Sequence, residues 1–188
     1  MSIRRRRAWS DRLSRRRELL ARLRGQQTLQ RARAAGLDAP GPLHVGSGVS
    51  FDHGFAWAIS IGAHTRIAHD VRIIAHDAAM KTLTGYTEVA RVTIGADCYL
   101  GAGTIVLPGS RIGDAAVIGA GSIVRGEIPA GAIAVGAPAS VVGDVEELRA
   151  RHERLQGTLA RFDQLPANEQ ARAAMRAALD EHGRIYVP

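Results

Sequence analysis

From Ile94 to Pro129 the chain reads IGADCYLGAGTIVLPGSRIGDAAVIGAGSIVRGEIP. Cut every six residues, each block opens on a branched aliphatic: Ile94, Leu100, Val106, Ile112, Ile118 and Val124. Glycine follows at Gly95, Gly101, Gly113 and Gly119, and the fifth position is small (Cys98, Thr104, Ser110, Ala116, Ser122) with Ile128 the exception. A period of six fits neither an amphipathic helix nor an alternating strand. It fits a parallel β-helix, in which short strands and tight corners alternate and successive coils stack. The same period runs upstream in another phase through Leu43, Val49, Phe55, Ile61, Ile67 and Ile73. Hydrophobic residues are 46% of the chain, so twelve hits in twelve have a chance likelihood of about one in ten thousand. Residues 79–91 (AMKTLTGYTEVAR) break the register and are expected to leave the coil as an excursion loop.

The 188 residues accommodate one domain of this kind with terminal extensions. Residues 1–38 read as a basic amphipathic helical extension, with Trp9, Leu13, Leu20 and Leu23 on one face. APGPL (39–43) stops that helix, and residues 39–143 form the repeat domain. Residues 144–188 return to helical patterning, with Asp144 and Glu147 as a capping pair and a break at Leu165–Asn168. The expected fold is therefore mainly β, with helical extensions at both ends.

The net charge of +7 belongs to one end. Residues 1–34 carry twelve Arg against Asp11 and Glu18, which is +10 and leaves the rest of the chain at −3. Three uses of that end stay open: a helix packed on the end of the coil, a membrane-surface anchor, or a nucleic-acid contact. No nucleic-acid-binding module accompanies the charge, so that partner is not expected. One cysteine excludes a disulfide framework, and no apolar run approaches a membrane span. The expected location is the cytoplasm, with peripheral contact at the inner face of the membrane through the basic segment.

Among seven histidines, His76 in RIIAHDAAMK stands where the second coil yields to the excursion. Irregular segments on rigid scaffolds often carry function, and an unperturbed imidazole, titrating near about pH 6.5, suits a general base.

The repeat resembles the hexapeptide-repeat acyltransferases. VIGAGSIV followed by IPAGAIAVGAPASVV looks like the end of a sugar O-acetyltransferase of the galactoside and maltose type. The resemblance implies a left-handed parallel β-helix, with three hexapeptides to each coil of about 18 residues. It implies a homotrimer with active sites between subunits, and acetyl-CoA as co-substrate. On that likeness His76 is the catalytic base, and Asp77, replacing the usual proline, orients the ring or meets the acceptor. The backbone amides of Ala102 and Ala120 hold the pantetheine arm, that of Ala102 also serving the oxyanion. Gly101 admits the ligand, and Tyr99 takes the place of a common aromatic. Arg125 supplies charge to phosphate where relatives have Thr-Lys and this chain has Arg125-Gly126.

The expected function is acetyl transfer from acetyl-CoA to a sugar or glycan hydroxyl, direct and in a ternary complex. Two rivals remain. One is a non-catalytic β-helix serving as scaffold or regulatory subunit. The other is a metalloenzyme like the γ-class carbonic anhydrases, drawing on the spacing of His64 and His69. A third histidine about two coils earlier is missing, so no metal is expected.

Overall fold

The computed structural model describes residue 20 and residues 23–156, 159–166 and 168–187. Trp9 and Leu13 lie outside them. The chain divides into two compact units between Val145 and Glu146.

In the first unit, strands mostly of two or three residues alternate with corners, and those of the coil pair with a strand one coil away. The first sheet contains β1 (His44–Val45), β4 (Arg66–Ile67), β9 (Tyr99–Leu100), β12 (Val117–Ile118) and β15 (Ala132–Gly136), all parallel. The second contains β2 (Ser50–Phe51), β5 (Arg72–Ile73), β10 (Ile105–Val106) and β13 (Ile123–Val124). The third contains β3 (Ile59–Ile61), β8 (Val92–Ile94), β11 (Arg111–Ile112) and β14 (Glu127–Ile128). The chain visits the three sheets in rotation, which makes a three-sided parallel β-helix.

The aliphatic at each block start points inward. Ile67, Leu100, Ile118 and Ala134 stack in register in the first sheet, and Phe51, Ile73, Val106 and Val124 in the second. Ile61, Ile94, Ile112 and Ile128 complete the third column. Full burial of each larger side chain contributes roughly 1.5–3 kcal/mol. The small fifth positions are also buried, and the hydroxyls of Thr104 and Ser110 bond carbonyl groups nearby. Thr104 Oγ1 donates to Gly101 O at 2.7 Å, and Ser110 Oγ to Val124 O at 3.1 Å. Among the described residues no buried side-chain polar atom lacks a partner. Cys98 belongs to this set: burial pushes its thiol pKa up, and Sγ donates to Gly113 O at 3.1 Å.

The register departs from strict six-residue spacing at both ends. In the first coil Val45 and Phe51 take the block-start positions, rather than Leu43, Val49 and Phe55. Val49 is buried nonetheless, because it fills the inward fifth position. Four extra residues, including a 3-10 turn at Ala56–Ala58, then precede Ile61, so β1 pairs with β4 at an offset of 22 residues. At the other end β11 pairs with β14 at an offset of 16. Two residues are lost there, and Ile128 takes the inward aliphatic place; this accounts for its exception to the small-residue rule.

One end of the coil is covered by a helix within the unit, and at the other the edge of the first sheet is closed. Helix α1 (residues 23–34) places Leu29 and Ala32 in the same core, followed by Leu37 and Ala39. Its contact face corrects the expected stripe, since Leu20 and Leu23 are exposed. Gly25 is what lets α1 approach: a Cβ there would lie 2.1 Å from Val45 O. Asp38 adds one parallel rung beside β3. Strand β16 (Ala139–Asp144) runs antiparallel to β15 and closes that edge of the first sheet against further pairing.

Between β5 and β8 the chain leaves the coil as an antiparallel pair, β6 (His76–Asp77) with β7 (Glu88–Val89), tipped by α2 (Lys81–Thr84). The departure begins at His76, three residues before the expected loop. Helix α3 (Val145–Gln156) starts at the division between units. In the second unit α4 (Glu169–His182) is capped by Asn168 Oδ1, which accepts from Ala171 N–H at 2.9 Å. Tyr186 pairs with Arg161, and its hydroxyl lies 3.1 Å from His152 Nδ1. Among the described residues no helix is long and apolar enough to cross a membrane.

Candidate active site

Pairing of β2 with β5 sets Ser50 beside Arg72 and Phe51 beside Ile73. Continuing past both strands, the chain brings Asp52 alongside Ala75 and His76. Ala75 N–H donates to Asp52 Oδ2 at 3.0 Å, and His76 Nδ1 meets the same oxygen at 2.5 Å. The Asp52 side chain is 5% exposed and that of His76 38%, so the carboxylate is enclosed while the ring reaches solvent. Phe55, delivered by the four-residue insertion, packs on the imidazole with ring centroids 4.9 Å apart. Phe55 in turn lies 6.3 Å from the ring of Trp57.

Burial alone pushes the Asp52 carboxyl up. The hydrogen bond from His76 outweighs it together with the Ala75 N–H, the charge of His76 and the Gly54 N–H, and the pKa falls below its ordinary value. An ionised carboxylate only accepts hydrogen bonds. In the neutral ring Nδ1 therefore carries the proton, and Nε2 keeps its lone pair. This is the arrangement that prepares an imidazole to take a proton.

Asp52 was not among the residues expected from sequence. Its signal was the register: a first coil of 18 residues sets Ala58 opposite His76, whereas the actual offset of 22 sets Asp52 beside Ile74. Among the described residues the bond to the ring comes from Asp52 and not from Asp77. Its Oδ1 accepts from Ala79 N–H at 2.7 Å and shapes the turn into α2.

The remaining expected residues occupy other places. Ala102 and Ala120 are exposed at the corner between the first and second sheets. Thr104 N–H donates to Gly101 O and Ser122 N–H to Gly119 O, with Gly103 and Gly121 both at φ 69°. These are type II turns in which Ala102 and Ala120 are the second residues. Amides at that place are not used by the turn. Gly101 is buried beneath, and a Cβ there would lie 2.4 Å from Ala120 N, so it serves close stacking of the coils. Tyr99 stands outward on the first sheet between Arg66 and Val117. Arg125 is exposed just after β13, on the edge between the second and third sheets.

His76 shares its edge with Arg125, two coils apart. Ala102 and Ala120 lie on a different edge, so one chain does not bring the base and those amides together. His64 and His69 also fall on different edges, before and after β4. Among the described residues no three His, Cys, Asp or Glu side chains converge as a metal-binding group.

Residues 91–126 match the family described as bacterial transferase hexapeptide (six repeats). The chain is 36% identical over 97 residues to YvoF of Bacillus subtilis (strain 168), a candidate acetyltransferase by name; the match covers 52% of this chain and 54% of that protein. It is 33% identical over 115 residues to a serine acetyltransferase of Buchnera aphidicola subsp. Acyrthosiphon pisum (strain APS), covering 61% of this chain and 41% of that one. A solved maltose O-acetyltransferase from Clostridium difficile 630 aligns with a TM-score of 0.48 and 26% identity, over 61% of this chain and 72% of that one. The chain thus spans about half the length or less of these two curated relatives. Its repeat domain is similar to the hexapeptide-repeat transferases.

Proposed function

We propose that this chain is an acetyl-CoA-dependent O-acetyltransferase acting on a sugar or glycan hydroxyl. The observation that carries the reading is the Asp52–His76 pair, held at 2.5 Å on an interrupted edge of a hexapeptide-repeat coil. Acetyl-CoA supplies an activated thioester. His76 Nε2 takes the proton of the acceptor hydroxyl as its oxygen attacks the thioester carbonyl. Asp52 keeps the ring in the required tautomer and stabilises the imidazolium. Ala102 N–H receives the developing oxyanion. The imidazolium then returns its proton to the departing thiolate, so protons and charge balance without a covalent acyl-enzyme.

Because Ala102 and His76 lie on different edges of one coil, the complete site needs two copies of the chain. A closed ring of three, with His76 of one copy facing Ala102 and Ala120 of the next, meets that need and gives each copy the same surroundings. Arg125, on the edge of His76, then supplies positive charge to the phosphates of the donor. The coil has the left-handed sense of the proteins it resembles. In this reading the chain is cytoplasmic, with the arginine-rich segment before α1 able to touch an anionic membrane.

The test is acetyl transfer from acetyl-CoA across a panel of sugars and glycans. The wild type should acetylate at least one acceptor, and His76→Ala should lower that rate by about 100- to 10,000-fold. Coenzyme A affinity should hold, since backbone amides and Arg125 are assigned to it. A His76→Ala variant that acetylates at the wild-type rate refutes the assignment of the base.

A further inference from the structure

A recess of about 710 Å³ opens between α1 and the outer face of the first sheet. That volume lies within the range of small-molecule sites. Its floor is the outward ladder of His44, Arg66 and Tyr99, which are direct neighbours on successive strands. Its wall is α1, with Gln30 and Arg33, and His69 lines it where the sheet turns its corner. Among the described residues no Asp or Glu lines it.

Among the described lining residues no carboxylate compensates the positive charge there. Arg33 Nη2 donates to Ala39 O and Gly41 O, each at 2.7 Å. Those carbonyls fix the guanidinium without cancelling its charge. Arg66 forms no ion pair among the described residues. Arg111 on the third sheet shows the alternative, since it stands beside Glu127, 4.0 Å away. Ser47 Oγ lies 3.0 Å from His69 Nδ1, which leaves Nε2 as the ring nitrogen available to a ligand. The walls are also fixed in place, with Gly25 pressed on Val45 at one end of α1 and Arg33 tied down at the other. A guanidinium-bearing cavity with no carboxylate among its described lining residues is suited to phosphate or carboxylate.

The recess adjoins the proposed reaction centre. Gly121 N–H donates to Ala102 O at 2.8 Å, and Gly103 N–H to His69 O at 2.9 Å. His69, Ala102 and Ala120 therefore occupy the same step of three successive corners. With the thioester at Ala102, the next step along that column is His69 and the mouth of the recess.

We propose that the recess between α1 and the first sheet binds a phosphate or carboxylate group of the acceptor, making the acceptor an anionic sugar or sugar derivative. This rests on the acetyl-transfer reading for the word acceptor, while the anion site itself stands on the recess alone. The probes are inorganic phosphate, glucose 6-phosphate and glucose, titrated calorimetrically into the full chain at low ionic strength, with and without saturating coenzyme A. Glucose 6-phosphate should bind at least about tenfold more tightly than glucose, the effect of one charge-assisted hydrogen bond. Arg66→Gln should abolish that preference and weaken inorganic phosphate, Arg66→Lys should retain part of it, and coenzyme A should displace neither anion. Arg66 is outward-facing and exposed, so thermal melting should be unchanged in both variants. Undetectable or equal binding of the charged and neutral probes overturns the proposal, as does a preference that survives Arg66→Gln. Displacement by coenzyme A also overturns it, because the recess would then hold the donor's own phosphates. The titrations contain no acetyl donor, so their failure is separate from a failure of acetyl transfer.

Discussion

Two edges of the same coil are built on opposite plans. Along the edge between the second and third sheets the repeat is interrupted, by four residues after β2 and by the β6–β7 excursion after β5. Those interruptions gather Asp52, Phe55 and His76, all side-chain chemistry. Along the edge between the first and second sheets the later corners repeat without insertion, and Ala102 and Ala120 offer little but backbone. A regular corner aligns amides at the strand spacing of about 4.8 Å. An irregular one brings residues distant in sequence into contact. Acyl transfer needs both, a base that moves a proton and fixed donors for an oxyanion.

Substitutions can break that contrast one edge at a time. After the loss of His76, the largest expected effect comes from Ala102→Pro. Proline suits the second residue of a type II turn, so the corner survives while its amide donor is lost. Turnover should fall by about 100- to 1,000-fold, as for removal of an oxyanion donor. Unchanged turnover would move the oxyanion site elsewhere.

Asp52→Asn should slow turnover on the order of 100-fold by losing the tautomer, with acetyl-CoA KM little changed. The same carboxyl makes a second, independent signature. Its pKa is lowered on folding, so the unfolded chain holds that proton more tightly. Stability from Asp52 is full above its ordinary value of 3.8 and is lost as pH falls through the folded value. Acid unfolding followed by circular dichroism should show this loss in the wild type and not in Asp52→Asn. Smallest is Ala120→Pro, which should raise acetyl-CoA KM by about tenfold, the worth of one hydrogen bond, at nearly unchanged kcat. An equal fall in kcat would place Ala120 at the reacting atoms instead.

The stacked aliphatics from Ile94 to Val124 were legible because side chains at each block start face one shared core, and that core tolerates no drift in period. His76 was legible as a junction. Asp52 was hidden by the first coil, where Val49 and Phe55 are hydrophobic and satisfy a six-residue period that the backbone does not follow. An inward fifth position that accepts valine looks like a block start. The helix contact was obscured for a related reason. The residue allowing α1 to sit on β1 is Gly25, which has no side chain to mark a face, while Leu20 and Leu23 mark one that is exposed. Separation of His76 from Ala102 follows only from knowing which corner each occupies.

If one site is assembled from the two edges of different copies, mixing two inactive variants should rebuild it. His76→Ala and Ala102→Pro, co-expressed with different tags and purified through both, should each be inactive alone. A mixed ring of three contains one pairing of an intact His76 edge with an intact Ala102 edge, so activity should return to roughly a third of the wild-type value per ring. Mixed assemblies of confirmed composition that stay as inactive as their parents would show that the site is not shared between copies in this way.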